Sequence, residues 1–117
     1  MDSGVTFEKL WEFVRSLPET EVGTSYRTPA FKVKGKLIAR MWEDDVTLVL
    51  LIDFETKEML LKTNPEVFFQ TDHYAGYPAV LARLPFADYK ELCELLEESW
   101  RQKAPVKVVN AYDLANL

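Results

Sequence analysis

Residues 30–52 read AFKVKGKLIARMWEDDVTLVLLI. The segment contains three runs of strand-forming residues, at 30–33, 37–42 and 46–52, with short polar turns between them. This pattern predicts three strands joined by tight turns. They must be antiparallel, because a parallel pair needs a longer crossover. The third run is apolar at nearly every position, which favours a central strand in a sheet covered on one face and partly covered on the other.

Two longer amphipathic helices flank this region. The first is predicted from apolar residues at helical spacing, and Pro18 is expected to end it. Its apolar positions are Phe7, Leu10, Trp11, Val14 and Leu17. The second helix is expected to begin after Asp88, with Glu91 completing a capping box, and to end before Pro105. Its apolar positions are Tyr89, Leu92, Cys93, Leu96 and Trp100. We expect Cys93 and the tryptophans to lie in the core, with the open sheet face as an alternative for Trp42.

Shorter elements lie between the third strand and the second long helix. Asp53 is a predicted N-cap for a short helix from 54 to about 62. Short strands are predicted at 67–70 and from 77 or 79 to 84. The economical arrangement is a two-layer α+β sandwich in which both long helices cover one face of an antiparallel sheet. We expect one domain over residues 1–117, with 105–117 as an edge strand or a mobile tail.

Composition excludes several classes of protein. No apolar run approaches the roughly 20 residues that a bilayer-spanning helix needs. The first residues lack a basic region followed by an apolar one, so no signal peptide is predicted. A single cysteine excludes an internal disulfide, and this suits a reducing cytoplasm, where we expect the protein to reside. A net charge of −5 argues against a surface that grips nucleic acid everywhere.

The segment TDHYAGYP, residues 71–78, contains the sole histidine. Gly76 permits backbone conformations that other residues avoid, and Pro78 fixes one φ angle. An imidazole and two tyrosines could bind a small ligand through stacking and hydrogen bonds. Positive charge would come from Lys32, Arg40 and Arg83 if they converge on the same sheet face. The candidate ligand site is therefore Tyr26, Arg40, His73, Tyr74, Tyr77 and Arg83. The alternative is that His73 hydrogen-bonds backbone groups of its own loop while the tyrosines pack on the sheet.

A basic hairpin is the candidate nucleic-acid site. No acidic residue lies between Val22 and Trp42, whereas Arg27, Lys32, Lys34, Lys36 and Arg40 all fall there. Such a hairpin could lie along a groove and contact phosphates. The alternative is that lysines around a tight turn keep it solvated and protect a sheet edge. No recognition-helix pattern accompanies the hairpin, so base-specific reading has no support.

Several short motifs together resemble the MmcQ/YjbR family. They are LPET at 17–20, GTSY at 23–26, TPAFKV at 28–33, Gly35-Lys36, Arg40 and HYAGYP at 73–78. The resemblance extends from about Phe7 to Ala104. It implies a CyaY-like fold, which agrees with the α+β sandwich that periodicity predicts independently. Members of this family are often labelled as DNA-binding proteins, with paired wing-like hairpins. The resemblance implies no chemistry that can be assigned to particular residues of this sequence.

Metal binding and catalysis are both disfavoured. CyaY-like folds include frataxins, which bind iron through an acidic surface, and here Glu8, Glu12, Glu19 and Glu21 form a sparse acidic group. One histidine and one cysteine exclude the usual zinc site. No nucleophile elbow, phosphate-binding glycine loop or dinucleotide motif is present. We therefore expect no metal, no cofactor and no catalytic residue.

The leading hypothesis is a non-catalytic protein that binds DNA through the basic hairpin and the open sheet face. The alternative is a domain that binds a small molecule or anion around His73, Tyr77 and Arg40. The expected partners are accordingly DNA or a small anionic ligand, with no membrane. Oligomeric state is left open.

Overall fold

A computed structural model describes residues 4–117. Residues 1–3, on which the prediction about a signal peptide partly rests, lie outside this range. The described chain forms four helices: α1 Phe7–Val14, α2 Phe54–Thr63, α3 Tyr89–Lys103 and α4 Val106–Ala115. Its six strands are β1 Thr20–Ser25, β2 Thr28–Val33, β3 Lys36–Met41, β4 Thr47–Leu51, β5 Phe68–Phe69 and β6 Ala79–Arg83. They form one antiparallel sheet in the order β1-β2-β3-β4-β6-β5, which confirms the predicted α+β class.

Helices α1 and α3 cover one face of the sheet. The centres of their apolar stripes are fully buried, with Leu10 and Trp100 at 0% exposure, whereas Phe7 and Trp11 are half-buried and Tyr89 is exposed. The helices pack against Phe31, Leu48, Leu50 and Val80, which point to this face from β2, β4 and β6. Cys93 also belongs to this core, as predicted. The opposite side of the sheet is called the open face below.

Side-chain caps explain where α2 and α3 begin. The Asp53 carboxylate accepts from the Thr56 N–H at 3.1 Å at the start of α2. At the start of α3, the Asp88 carboxylate accepts from the Glu91 N–H at 2.9 Å. Both predicted N-caps are confirmed. Helix α1 ends earlier than predicted, at Val14, and a short hydrogen-bonded turn carries the chain to Pro18.

Strand β1 is the main element that the sequence did not predict. It has the sequence TEVGTS, with one glycine and no apolar alternation. Its register follows from pairing with β2, from Thr20 opposite Val33 to Ser25 opposite Thr28. Because tertiary pairing rather than local propensity makes it a strand, the sequence pattern did not reveal it.

The C-terminal segment is helical and does not form an edge strand. Helix α4 packs on α3 through the Tyr112 ring, whose centroid lies 5.0 Å from that of Trp100. The Arg101 guanidinium donates to both carboxylate oxygens of Asp113, at 2.8 and 3.1 Å. A ring contact and an ion pair therefore hold α4 on the long helix. Across residues 4–117, no helix has the combined length and apolar character for a bilayer crossing.

Candidate ligand pocket on the open sheet face

The His73 loop, residues 71–78, folds over the open face and encloses a cavity of about 230 Å³ with it. The floor consists of apolar side chains from β3, β4 and β6, and the walls are aromatic. The lining residues are Tyr26, Leu37, Arg40, Val49, Leu51, His73, Tyr74, Tyr77, Pro78 and Ala79. The apolar residues on both faces of β4 thus reflect cover on both sides, by helices on one and by this loop on part of the other.

Arg40 is a buried cation at the edge of this cavity, with only 4% of the residue exposed. Its Nη2 donates to the Tyr74 hydroxyl at 2.8 Å. Its Nη1 donates to Thr28 Oγ1 at 3.3 Å and to its neighbour's carbonyl at 3.2 Å. Nη1 also lies 3.5 Å from a carboxylate oxygen of Glu43, an exposed side chain. Within the described residues, the Nε–H of Arg40 has no acceptor.

A bulge in β3 aims Arg40 at the open face. Phe31 pairs with Ala39, but the next residue of β2 pairs with Leu37, so Ile38 is left out of the ladder. Ile38 and Ala39 therefore both belong to the helix-covered core. The bulge shifts the alternation by one residue, which places Arg40 and Leu37 together on the open face. The buried Ser99 hydroxyl of α3 donates to the carbonyl of the bulged residue at 3.4 Å.

Tyr26 forms the wall opposite the loop and has a strained backbone. Tyr26 and Arg27 connect β1 to β2 with φ angles of 52° and 67°. Two successive positive φ angles define a type I′ hairpin turn, which favours asparagine and glycine over bulky residues. The Tyr26 ring nevertheless lies over Arg40, with Cζ 4.8 Å from the ring centroid. Such strain is common at functional sites.

Three aromatic rings from the His73 loop form the other wall. The imidazole contacts the Tyr74 ring edge-on, with centroids 4.7 Å apart, and stacks on Tyr77 at 5.8 Å. Tyr74 packs on the apolar floor, whereas Tyr77 is 54% exposed. Among the described residues the His73 imidazole makes no hydrogen bond, so it does not hydrogen-bond the backbone of its own loop as the alternative interpretation supposed.

Lys57 of α2 contacts the His73 loop on the side away from the cavity. Its ammonium donates to the carbonyls of Tyr74 and Tyr77, at 2.7 Å each. The residue is only 2% exposed, and burial lowers the pKa of the Lys57 ammonium. The sequence analysis did not select Lys57. The available signal was its position one turn before Leu60 and Leu61, on the face of α2 that points inward.

Gly76 does not have the role that the sequence suggested. Its φ angle is not positive, and a Cβ placed there would meet no heavy atom within 4 Å. The chain reverses through Tyr74 and Tyr77 instead, with the Tyr77 N–H donating to the Tyr74 carbonyl at 3.0 Å. Pro78 fastens the end of the loop, because its carbonyl accepts from the Ile52 N–H at 2.9 Å.

The comparisons with known proteins identify the family. The YjbR family model matches residues 15–102, three quarters of the chain. The chain belongs to the YjbR family. Uncharacterised proteins of Mycobacterium bovis and Mycobacterium tuberculosis are 42% identical to it over 72 residues, which cover 62% of this chain and 55% of theirs. The match thus spans little more than half the length of these relatives.

A solved structure shares the fold of this YjbR-family chain. It is the crystal structure of a Deinococcus radiodurans protein with a DUF419 domain, which superposes with a TM-score of 0.70 at 25% identity. The match covers 81% of this chain and 75% of the Deinococcus chain. The sandwich that periodicity predicted is therefore the fold of a solved relative.

Arg83 lies on the open face but outside the pocket. Its guanidinium covers the Phe69 ring, with Cζ 4.0 Å from the centroid, and donates to the carbonyls of Pro65 and Glu66. Trp42 also lies on the open face, beside Phe69. Of the six candidate ligand residues, the structure brings Tyr26, Arg40, His73, Tyr74 and Tyr77 together and leaves Arg83 apart.

The candidate nucleic-acid residues are dispersed. Arg27 lies in the turn before β2 and Lys34 in the turn after it, about 20 Å away at the usual rise of a strand. Arg40 is buried, whereas Lys36 is exposed. Lys32 shares the open face with Leu37, its partner across the β2–β3 ladder. The five residues therefore do not form one continuous patch.

Strand β1 also brings acidic residues to the basic hairpin. Glu21 lies directly opposite Lys32 in the ladder, and a Glu19 carboxylate oxygen is 3.9 Å from the Lys34 ammonium. The absence of acidic residues between Val22 and Trp42 is thus offset by residues just outside that range. Elsewhere, Glu8 and Glu12 are exposed on or near α1. Residues 4–117 contain no cluster of three or more potential metal ligands.

Proposed function

We propose that this YjbR-family protein is a binding domain for a small anionic ligand that carries a planar ring. The ligand would occupy the cavity between the His73 loop and the sheet. The observation that carries the proposal is the buried Arg40 guanidinium at a cavity whose lining contains no carboxylate. A buried cation is costly unless it is paired. The carboxylate that the described residues bring to Arg40 is that of exposed Glu43, at 3.5 Å, and it lies outside the cavity lining, so an anion in the cavity would pair with the guanidinium from the other side.

The unused hydrogen-bond donors of the pocket define the polar part of the ligand. A guanidinium has five N–H groups, and the Nε–H of Arg40 is without an acceptor in the described residues. The Tyr74 hydroxyl accepts from Arg40, so its own hydrogen is available to donate. These donors suit a carboxylate or phosphate oxygen, because charge-assisted hydrogen bonds are among the strongest.

The walls of the cavity define the rest of the ligand. Leu37, Val49 and Leu51 offer an apolar floor, and Tyr26 and Tyr77 offer ring faces at the opening. Aromatic faces favour stacking with another ring. An aromatic acid or a nucleoside monophosphate combines these features, and the small volume favours one or two rings.

Thermal unfolding with matched probes tests the proposal. Benzoate and uridine monophosphate carry both a ring and an anion, inorganic phosphate carries only the anion, and benzyl alcohol carries only the ring. We expect at least one of the first two to raise the melting temperature saturably, by the equivalent of about 2.7 kcal/mol at a hundred times its dissociation constant. The single-feature probes should do less.

Two variants locate the binding site. His73→Ala removes one exposed wall of the pocket and should reduce the shift. Phe86→Ala removes an exposed aromatic side chain outside the pocket and should leave the shift unchanged. Absence of stabilisation by any probe, or an equal shift in wild type and His73→Ala, would count against the pocket.

Single-stranded nucleic acid is the second candidate. The observation that favours it is the exposure of the Tyr26 and Tyr77 rings, at 73% and 54%, on the same sheet face as Lys32. Bases stack on such platforms while lysines contact the backbone. Anisotropy of a labelled oligothymidylate should then fall steeply between low and moderate salt, and also when Lys32, Lys34 and Lys36 are changed to glutamine. No binding of single-stranded or duplex DNA at low salt would remove this candidate.

A further inference from the structure

Two carbonyl groups of the His73 loop, those of Tyr74 and Tyr77, face Lys57 instead of the pocket. The Lys57 ammonium binds the Tyr74 and Tyr77 carbonyls at 2.7 Å each, and Lys57 does not line the cavity. These two oxygens, which would repel an anion, are therefore turned away from the cavity, and the side chains of Tyr74 and Tyr77 line it.

Lys57 has no acidic partner among residues 4–117, since none of their ion pairs includes it. The ammonium also lies near the Phe54 ring, whose centroid is 5.8 Å from Nζ. A buried ammonium carries a large desolvation cost, and here the two loop carbonyls are its compensating acceptors. The order of the loop and the burial of this charge therefore depend on each other.

One cation binds at both ends of a tight turn. The Tyr74 carbonyl also accepts from the Tyr77 N–H at 3.0 Å, and the Tyr77 carbonyl accepts from the Ala79 N–H at 2.8 Å. Lys57 thus joins the last turn of the loop to the first residue of β6. This geometry holds the two tyrosine rings 6.2 Å apart and presents the Tyr74 hydroxyl to Arg40 at 2.8 Å.

We propose that Lys57 is the positioning residue of the pocket: its ammonium holds the His73 loop against the sheet and determines anion affinity without contacting the ligand. This inference rests on the proposed function for its ligand-binding part. The order that Lys57 imposes on the loop can be measured without any ligand. The positioning role of Lys57 and the proposed ligand binding can therefore be disproved independently of each other.

Hydrogen exchange of the ligand-free protein tests the first part. Lys57→Met keeps the length of the side chain and removes its donors. We expect the hydrogen-bonded amides of Tyr74, Ala75, Tyr77 and Ala79 to exchange roughly tenfold faster or more, because charge-assisted hydrogen bonds are lost, while amides of β3 and β4 keep their protection. Lys62→Met, an exposed lysine on the same helix, should change neither. Unchanged exchange of residues 74–79 in Lys57→Met would overturn the proposal.

Titration with benzoate and uridine monophosphate tests the second part. We expect Lys57→Met to weaken whichever probe stabilises the wild type by roughly tenfold, and Lys57→Gln, which retains a donor, to weaken it less. Wild-type affinity in Lys57→Met despite a loosened loop would also overturn the proposal. If neither probe binds the wild type, the proposed function fails for these ligands, and the exchange experiment still decides whether Lys57 orders the loop. If Lys57→Met does not fold, both measurements are made on Lys57→Gln, with the same outcomes expected at smaller size.

Discussion

The two faces of the sheet use buried side chains for different purposes. On the face covered by α1 and α3, the buried residues are almost all apolar, and Trp100 fills the space between α3 and the strands. On the open face, an arginine is 4% exposed, as Met41 and Val67 of the core are, and it is held by Thr28 and Tyr74. The first face has the composition of a stability core. The second retains a buried charge that apolar packing does not require, and the proposed ligand would pair with it.

The largest effect is expected from breaking the covered face. Trp100→Ala should destabilise the protein by about 3–5 kcal/mol, because it leaves a large cavity and removes the hydrogen bond from the indole N–H to the Pro18 carbonyl, 2.9 Å long. Urea unfolding followed by circular dichroism measures this loss. Phe86→Ala, at an exposed aromatic position, is the control and should lie within about 0.5 kcal/mol of wild type. Similar losses in both variants would contradict the assignment of the core.

An intermediate effect is expected from removing the buried charge of the open face. Arg40→Met should cost about 1–3 kcal/mol, since the Tyr74 hydroxyl and Thr28 lose a charged donor. It should also abolish stabilisation by any probe that binds wild type. Arg83→Met is the matched control, because Arg83 lies on the same face and binds carbonyls outside the pocket. If both variants lose the probe response equally, the special role of Arg40 is wrong.

The smallest effect separates stability from binding at one residue. Tyr26→Asn places a residue suited to a type I′ turn at a φ of 52°, and should stabilise the protein by about 1 kcal/mol. It also removes the ring that covers Arg40, so the probe response should fall while the unfolding midpoint rises. A variant less stable than wild type would contradict the backbone strain at Tyr26, and equal probe binding would contradict a binding role for its ring.

The strongest sequence signals gave correct elements. The runs of strand-forming residues and the short turns in residues 30–52 located β2, β3 and β4, and the helical spacing around Leu96 and Trp100 located α3. The structure also brings five of the six candidate ligand residues together around one cavity, and their role in binding a ligand stays a prediction. The predictions of strands and helices succeeded because apolar periodicity and capping residues act within a few residues of the chain.

The features that the sequence did not reveal depend on contacts between segments that are distant in the chain. Strand β1 exists because β2 offers it a partner, and with it come Glu19 and Glu21, which lie beside the lysines of the hairpin. Lys57 resembles any surface lysine in the sequence, and its importance follows from two carbonyls located 17 and 20 residues away in the chain. Gly76 was overvalued because its conformational freedom, real in isolation, is not used here.

The amino-acid sequence alone determined the class of fold, the apolar face that the two long helices bury, and the candidate residues of the loop. The tertiary structure decided which of those residues meet. The bulge at Ile38 turns Arg40 towards the pocket, and Lys57 holds the loop above it. The physical reason is the separation in sequence of the residues that interact. Periodicity reflects residues close together in the chain, whereas strand register, bulges and the pairing of buried charges depend on distant segments that meet only in the folded protein.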